Sequence, residues 1–143
     1  MKERGNIELV AMLRSEFFVQ RALVGVGLIA SFVHFLDNAL DIADYPEPSW
    51  ITPAGVIITW LIISPIALVA LSRKSRDFVF SSSAAIYSLI LLSGVLHYFY
   101  ASSMKIPLRI HLTVLSEAIT GAALLITIIV GRIRGKGREL NSS

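Results

Sequence analysis

The chain contains no cysteine. That removes thiol catalysis, thiolate metal sites and disulfides from consideration, and with them the dithiol quinone-linked redox chemistry of some small four-helix membrane proteins. Charge is also scarce: Asp, Glu, Lys and Arg make up 16% of the 143 residues, against about 25% in ordinary soluble domains. No lysine lies in the middle of a long apolar run, so a retinal Schiff base has no attachment point. A P-loop, a glycine-rich nucleotide motif and an HExxH pair are all missing, as are the twin Glu-x-x-His motifs of di-iron bundles. The serines, Ser31 and Ser116 among them, have no partners at the spacing of a catalytic triad.

What the chain has instead is hydrophobicity, at 55% of residues and a mean hydropathy of +0.70. A helix crosses the hydrocarbon core with roughly 20 mostly apolar residues. Four segments meet that requirement, at about 17–40, 51–71, 78–100 and 108–130. The reading is therefore an all-α, four-helix transmembrane bundle, a single integral membrane domain over residues 1–143, multi-pass in the plasma membrane. The first run ends in HFLDNALDIADYPEP rather than in a small-residue cleavage site, so it reads as an uncleaved span. The stretch IELVAMLRSE before it is amphipathic and either extends the first helix or lies on the membrane surface. SRKSRD and ASSMKIP form short connections; Pro46 and Pro48 stiffen a longer one, followed by an interfacial Trp50. Residues 132–143, with GKGRELNSS, read as a flexible tail.

Orientation follows from the basic residues. Lys2, Arg4, Arg14, Arg21, Arg73, Lys74, Arg76, Arg132, Arg134, Lys136 and Arg138 fall on one side, and only Lys105 and Arg109 on the other. Both termini are accordingly expected in the cytoplasm, with Asp37, Asp41, Asp44 and Glu47 facing out. The same placement explains the basic pI of about 9.5 through membrane topology; no nucleic-acid partner is implied.

Small residues mark close-contact faces between helices in lipid: Gly25, Gly27 and Ser31 in span one, Ser81–Ala85 in span three, and Ala118, Gly121 and Ala122 in span four. Span two carries Pro65, expected to kink it, and Trp60 at unusual depth, whose N–H needs a partner in the bundle or in a ligand.

All three histidines fall in the outer half of a span. His34, Asp37, Asn38 and Asp41 have helical spacing and are expected to form one polar stripe. His97 and His111 each lie seven residues from Met104, which places them at matched depths on neighbouring helices. Glu117 lies roughly 9 Å deeper than His111 at 1.5 Å per residue, level with His34. The expected site is layered: His34 and Glu117 deep, Asp37, His97 and His111 above them, Asp41 at the mouth, and Tyr45, Tyr98 and Tyr100 at the rim. Trp60 is a further ligand-binding candidate. Imidazoles with carboxylates suit a divalent metal such as zinc or copper, non-haem iron, or a haem held by a histidine pair, with His34, His97, His111 and Glu117 as the ligand set. Plainer readings exist for most of them. His97 and Tyr98–Tyr100 make an interfacial aromatic belt, His111 snorkels, and the acids form a solvated loop. Glu117 is the hardest to explain that way, because a carboxylate at such depth needs a partner or a bound proton.

The stretch HFLDNALDIADYPEPSW resembles the outer-face motif of small prokaryotic four-span membrane proteins, a resemblance that implies the span count and no activity. Small multidrug transporters also have four spans but carry their membrane carboxylate in the first, whereas here it is in the fourth. Three functions fit the residues: a His/carboxylate ligand or metal site in the outer half of the bundle, a non-enzymatic accessory or assembly subunit of a membrane complex, and a proton-coupled transporter working as a homo-oligomer.

Overall fold

The structure, a computed structural model, describes residues 2–45, 48–72, 78–100 and 106–142. It is all-helical. Helix α1 spans Lys2–Leu40, α2 Pro53–Ser72, α3 Phe78–Ser93, α4 His97–Tyr100 and α5 Leu108–Ser142. A 3₁₀ turn, Gly94–Leu96, joins α3 to α4, and a second follows α1 at Ile42–Asp44. Pro46, Glu47, Arg73, Lys74, Arg76 and Lys105 lie outside the described residues.

Four helical stretches are long and apolar enough to cross a membrane: Arg14–Leu40, Pro53–Ser72, Phe78–Phe99 and Leu108–Gly135. The third combines α3, the 3₁₀ turn and α4. Consecutive spans pack side by side, and α5 returns to pack on α1; the α1–α3 diagonal is weaker. One end, called here the terminal end, gathers the start of α1 and the last turns of α5, joined by Glu16 and Arg134 at 2.9 Å. There the Arg21 guanidinium donates to the Leu71 carbonyl. It supplies α2 with the cationic cap that its own last turn lacks. The opposite, histidine end gathers the last turns of α1, the first of α2, the 3₁₀ turn with α4, and the first of α5.

The α1 helix does extend back through IELVAMLRSE to Lys2. The α5 backbone likewise stays helical through the segment expected as a flexible tail, to Ser142. Gly135 and Gly137 weaken helix propensity by about 1 kcal/mol each, but no proline stops the helix, and the Arg134–Glu16 pair ties it to α1.

The face that α1 turns inward is read off its spacing: Val24, Gly27, Ser31, His34 and Asn38 are all buried, at alternating steps of three and four. Around Val24 the core is apolar, with Ala67, Ala70, Phe80, Ala84, Tyr87, Leu91, Leu124 and Ile128. The backbones come close where the sequence has glycine. A Cβ on Gly121 would lie 2.8 Å from the Ser88 carbonyl oxygen, and one on Gly27 2.6 Å from Leu91 Cδ1. Outside, Phe18, Ile29, Leu40, Ile62, Phe78 and Phe99 are all more than two-thirds exposed. An apolar belt of that extent suits lipid rather than water.

Candidate functional site

The inward face of α1 becomes polar in its last three turns, and each polar residue there meets a different partner. Ser31 comes first. It donates to the Leu28 carbonyl at 3.1 Å and accepts from Tyr87 Oη at 2.9 Å and from Trp60 Nε1 at 3.2 Å. One hydroxyl, with one donor and two lone pairs, thus ties α1 to α2 and α3. The Trp60 N–H is satisfied within the bundle and is not left for a ligand.

One turn further on, His34 is 3% exposed and Glu117 1%. The His34 Nδ1–H donates to Glu117 Oε2, the side-chain partner Glu117 needs at that depth. Gly94 lies against this pair: a Cβ there would stand 3.2 Å from Glu117 Oε2 and 3.6 Å from His34 Cε1. The chain passes Gly94 in the 3₁₀ turn. Three residues at 3.0 per turn instead of 3.6 rotate the succeeding helix by about 60°. That rotation brings His97 onto the site, its ring edge-on to His34 at 5.2 Å between centroids. Tyr45, from the turn after α1, stacks on His34 at 5.9 Å with the rings 15° apart, and meets His97 at 5.6 Å.

A partly open recess of about 200 Å³ adjoins this cluster. Its walls are His34, Phe35 and Asn38 from α1 and Gly55, Val56 and Thr59 from α2, with Ile51 and His97 at the ends. Gly55 contributes space: within 4 Å a Cβ there would meet only Thr52 Oγ1, at 3.3 Å, in the residue that precedes α2. His34 Nε2, the ring nitrogen not used by Glu117, is buried and has no hydrogen-bond partner among the described residues.

The acids lie to the side. Arg109, in the first turn of α5, binds three carboxylates: Nη1 donates to Asp37 Oδ1 and lies 2.9 Å from Asp41 Oδ2, and Nη2 reaches Asp44 Oδ2 at 2.6 Å. A cation in a first turn opposes the dipole of its own helix. Here it stands at the C-terminal end of α1, where two of those acids would otherwise meet the negative pole unaided. Tyr45 Oη donates to Asp37 Oδ2 at 2.7 Å and lies 3.5 Å from Thr113 Oγ1. Burial pushes the Tyr45 phenol well above the usual tyrosine range, and its bond to Asp37 adds to the shift. It therefore remains a neutral donor.

The expected stripe is thus divided. His34 and Asn38 face the recess together with His97, and Glu117 stands behind His34. Asp37 and Asp41 belong to the Arg109 clamp. Tyr98 and His111 form a separate stacked pair, with Tyr98 Oη and His111 Nδ1 2.9 Å apart; the side chain of Tyr100 lies outside the described residues. The four expected metal ligands are not gathered on one point, and among the described residues no three His, Asp or Glu side chains are placed to hold one ion. His111 is turned onto Tyr98, while Glu117 is engaged by His34. Sequence reasoning had not placed Gly94, Gly55, Tyr87 or Arg109 in the site. Only Arg109 left a signal, as a cation in a span opposite a run of acids.

The chain matches no protein-family model, no curated protein and no solved structure.

Proposed function

We propose that the chain is a multi-pass plasma-membrane protein, with both termini in the cytoplasm, that binds a small molecule in the recess at its histidine end. The apolar belt around the four long helices and the eleven-to-two division of basic residues support the placement. The observation that carries the binding role is the buried His34–Glu117 pair, whose second ring nitrogen has no partner among the described residues and lies beside a recess. An unpaired polar group in such a place costs about 1–3 kcal/mol, which a bound ligand returns. Glu117 orients the ring and sets its tautomer, in the way a carboxylate fixes a ligand-binding histidine. His97 and Asn38 line the same recess.

The test uses protein purified in mild detergent. Bound small molecules are extracted and identified by mass spectrometry, and metal content and visible absorption are read on the same sample. Gly55→Ile fills the recess while leaving every polar residue in place. A stoichiometric species held by wild type and lost from Gly55→Ile supports the assignment. A folded protein that is empty in both forms overturns it in favour of an accessory subunit whose polar groups serve assembly. Sidedness is read independently by labelling single cysteines introduced at Ser142 and Ser49 into the cysteine-free chain: the proposal expects Ser49→Cys to react from outside and Ser142→Cys only after permeabilisation.

A further inference from the structure

We infer that the occupant of the recess is a neutral ring bearing a hydroxyl or carbonyl oxygen, of the phenol or quinone class; this rests on the recess being a ligand site. Size is the first argument. A cavity of about 150 Å³ lined by apolar side chains takes one benzene ring, and this recess, at about 200 Å³, takes a ring with a few substituents. The walls are the second. The His34, His97 and Phe35 rings line it and pack on one another, His97 and Phe35 at 5.2 and 5.5 Å from His34, so an aromatic occupant would extend an existing ring cluster. Val56 and Ile51 supply apolar contact.

Charge is the third argument. Among the described residues that line the recess, none is an acid, a lysine or an arginine. The nearby cation, Arg109, is bound by three carboxylates, and Glu117 is engaged by His34. Among these described residues an anionic head group, phosphate included, would find no fixed counter-charge, and neither would an ammonium. Hydrogen bonding is the fourth. With Nδ1–H donating to Glu117, Nε2 presents a lone pair that accepts from a ring hydroxyl; in the other tautomer, with the Glu117 carboxyl donating to Nδ1, Nε2–H donates to a ring carbonyl. An oxygen-bearing ring is matched in either state. No electron transfer is implied.

The experiment follows quenching of Trp60 by tetramethyl-1,4-benzoquinone in a Trp50→Phe background, in phosphatidylcholine nanodiscs. Trp50 and Trp60 are the chain's two tryptophans, and Trp60 follows Thr59 of the recess wall. Saturable quenching is expected, competed by p-cresol but not by benzoate or benzylamine. It should be abolished by Gly55→Ile and weakened about tenfold, the worth of one hydrogen bond, in the His34→Phe, Glu117→Leu double variant. Quenching that rises linearly and equally in wild type and Gly55→Ile is membrane partition and overturns the ring assignment. Competition by benzoate or benzylamine as strong as by p-cresol overturns the neutrality argument. If no ring binds while wild type still carries an extractable species that Gly55→Ile loses, the ring class falls and the ligand site stands.

Discussion

The two ends of the bundle are built from the same helices by different means. At the terminal end the spans close on small residues and aliphatic side chains. Ala67, Ala70 and Ala84 are fully buried there, Phe17 meets Phe80 edge-on at 5.0 Å, and polar contacts are confined to the margin. At the histidine end the same α1 face carries Ser31, His34 and Asn38, and the third span leaves α-helical geometry at Gly94. The difference separates two uses of glycine. Gly27 admits an apolar side chain and Gly121 lets two helix backbones touch, whereas Gly94 lets a backbone touch a carboxylate. Association between helices in lipid requires only the first. The second adds a buried ion-pair geometry that packing alone does not call for.

The largest effect that can break this contrast comes from separating the pair. His34→Ala leaves the Glu117 carboxylate buried without its partner, and loss of one member of a buried pair costs about 3–5 kcal/mol. Replacing both, His34→Phe with Glu117→Leu, should bring stability back to near wild type while ring binding stays weakened about tenfold. Denaturant titration in mixed micelles measures each variant. A loss under about 1 kcal/mol in His34→Ala would show that Glu117 finds another partner, and the histidine end would then be no more demanding than the terminal end.

The glycines sharpen the comparison at the next level. Gly121→Ala sets a methyl 2.8 Å from a backbone carbonyl oxygen and 3.1 Å from the Leu92 amide nitrogen. Neither can turn aside, so the helices must part, at about 1–3 kcal/mol. In Gly94→Ala the nearest atom is a side-chain oxygen at 3.2 Å, which can shift by a few tenths of an ångström. Its stability cost should be the smaller of the two, but Glu117 is displaced from His34, so ligand retention falls. Equal stability losses without change in retention would remove the special role assigned to Gly94.

The four helices were legible in the sequence because their signal is length and hydropathy, properties of each segment by itself. The depth match of His34 with Glu117 was legible too, because rise per residue converts sequence into depth. Azimuth was not. His97 reaches His34 only because the 3₁₀ turn rotates it, and nothing in SGVLH announces that turn beyond one glycine. His97 and His111, paired by their spacing from Met104, face different partners for the same reason. Asp37 and Asn38 are adjacent in sequence and diverge by one helical step, which sends one to Arg109 and the other to the recess. Trp60 looked available for a ligand until Ser31, 29 residues away, proved to hold its N–H.

Tyr45 offers a smaller test, of whether the turn after α1 belongs to the histidine end. Burial raises its folded-state phenol above the ordinary value of about 10. The unfolded chain therefore releases this proton first. The stabilisation is complete below about pH 10 and is lost as the pH climbs beyond it. Tyr45→Phe should flatten the alkaline fall in stability, followed by unfolding midpoints from pH 8 upward, and should leave the slope below pH 9 unchanged. An identical alkaline slope in the variant would mean that the turn opens before the phenol ionises.

The smallest effects come from the ion pairs at the two margins, and their salt dependence separates them. Glu16 and Arg134 form a single contact at 2.9 Å, with the arginine side chain 56% exposed. Such a pair contributes about 0–1 kcal/mol, so Glu16→Gln should barely move the midpoint at any ionic strength. Arg109 is also partly exposed, but it holds three carboxylates at once. Removing it leaves those acids to repel one another at the negative end of α1. Arg109→Gln should lower the midpoint more than Glu16→Gln, and the gap should narrow as salt rises from about 0.05 to 1 M, where the screening length falls to roughly 3 Å. The repulsion it releases acts on the turn that carries Tyr45 against His34, so the variant should also retain less ligand at low salt and recover it at high salt. A midpoint loss that salt does not reduce would instead identify Arg109 as a packing element. The histidine end would then be held, like the terminal end, chiefly by fit.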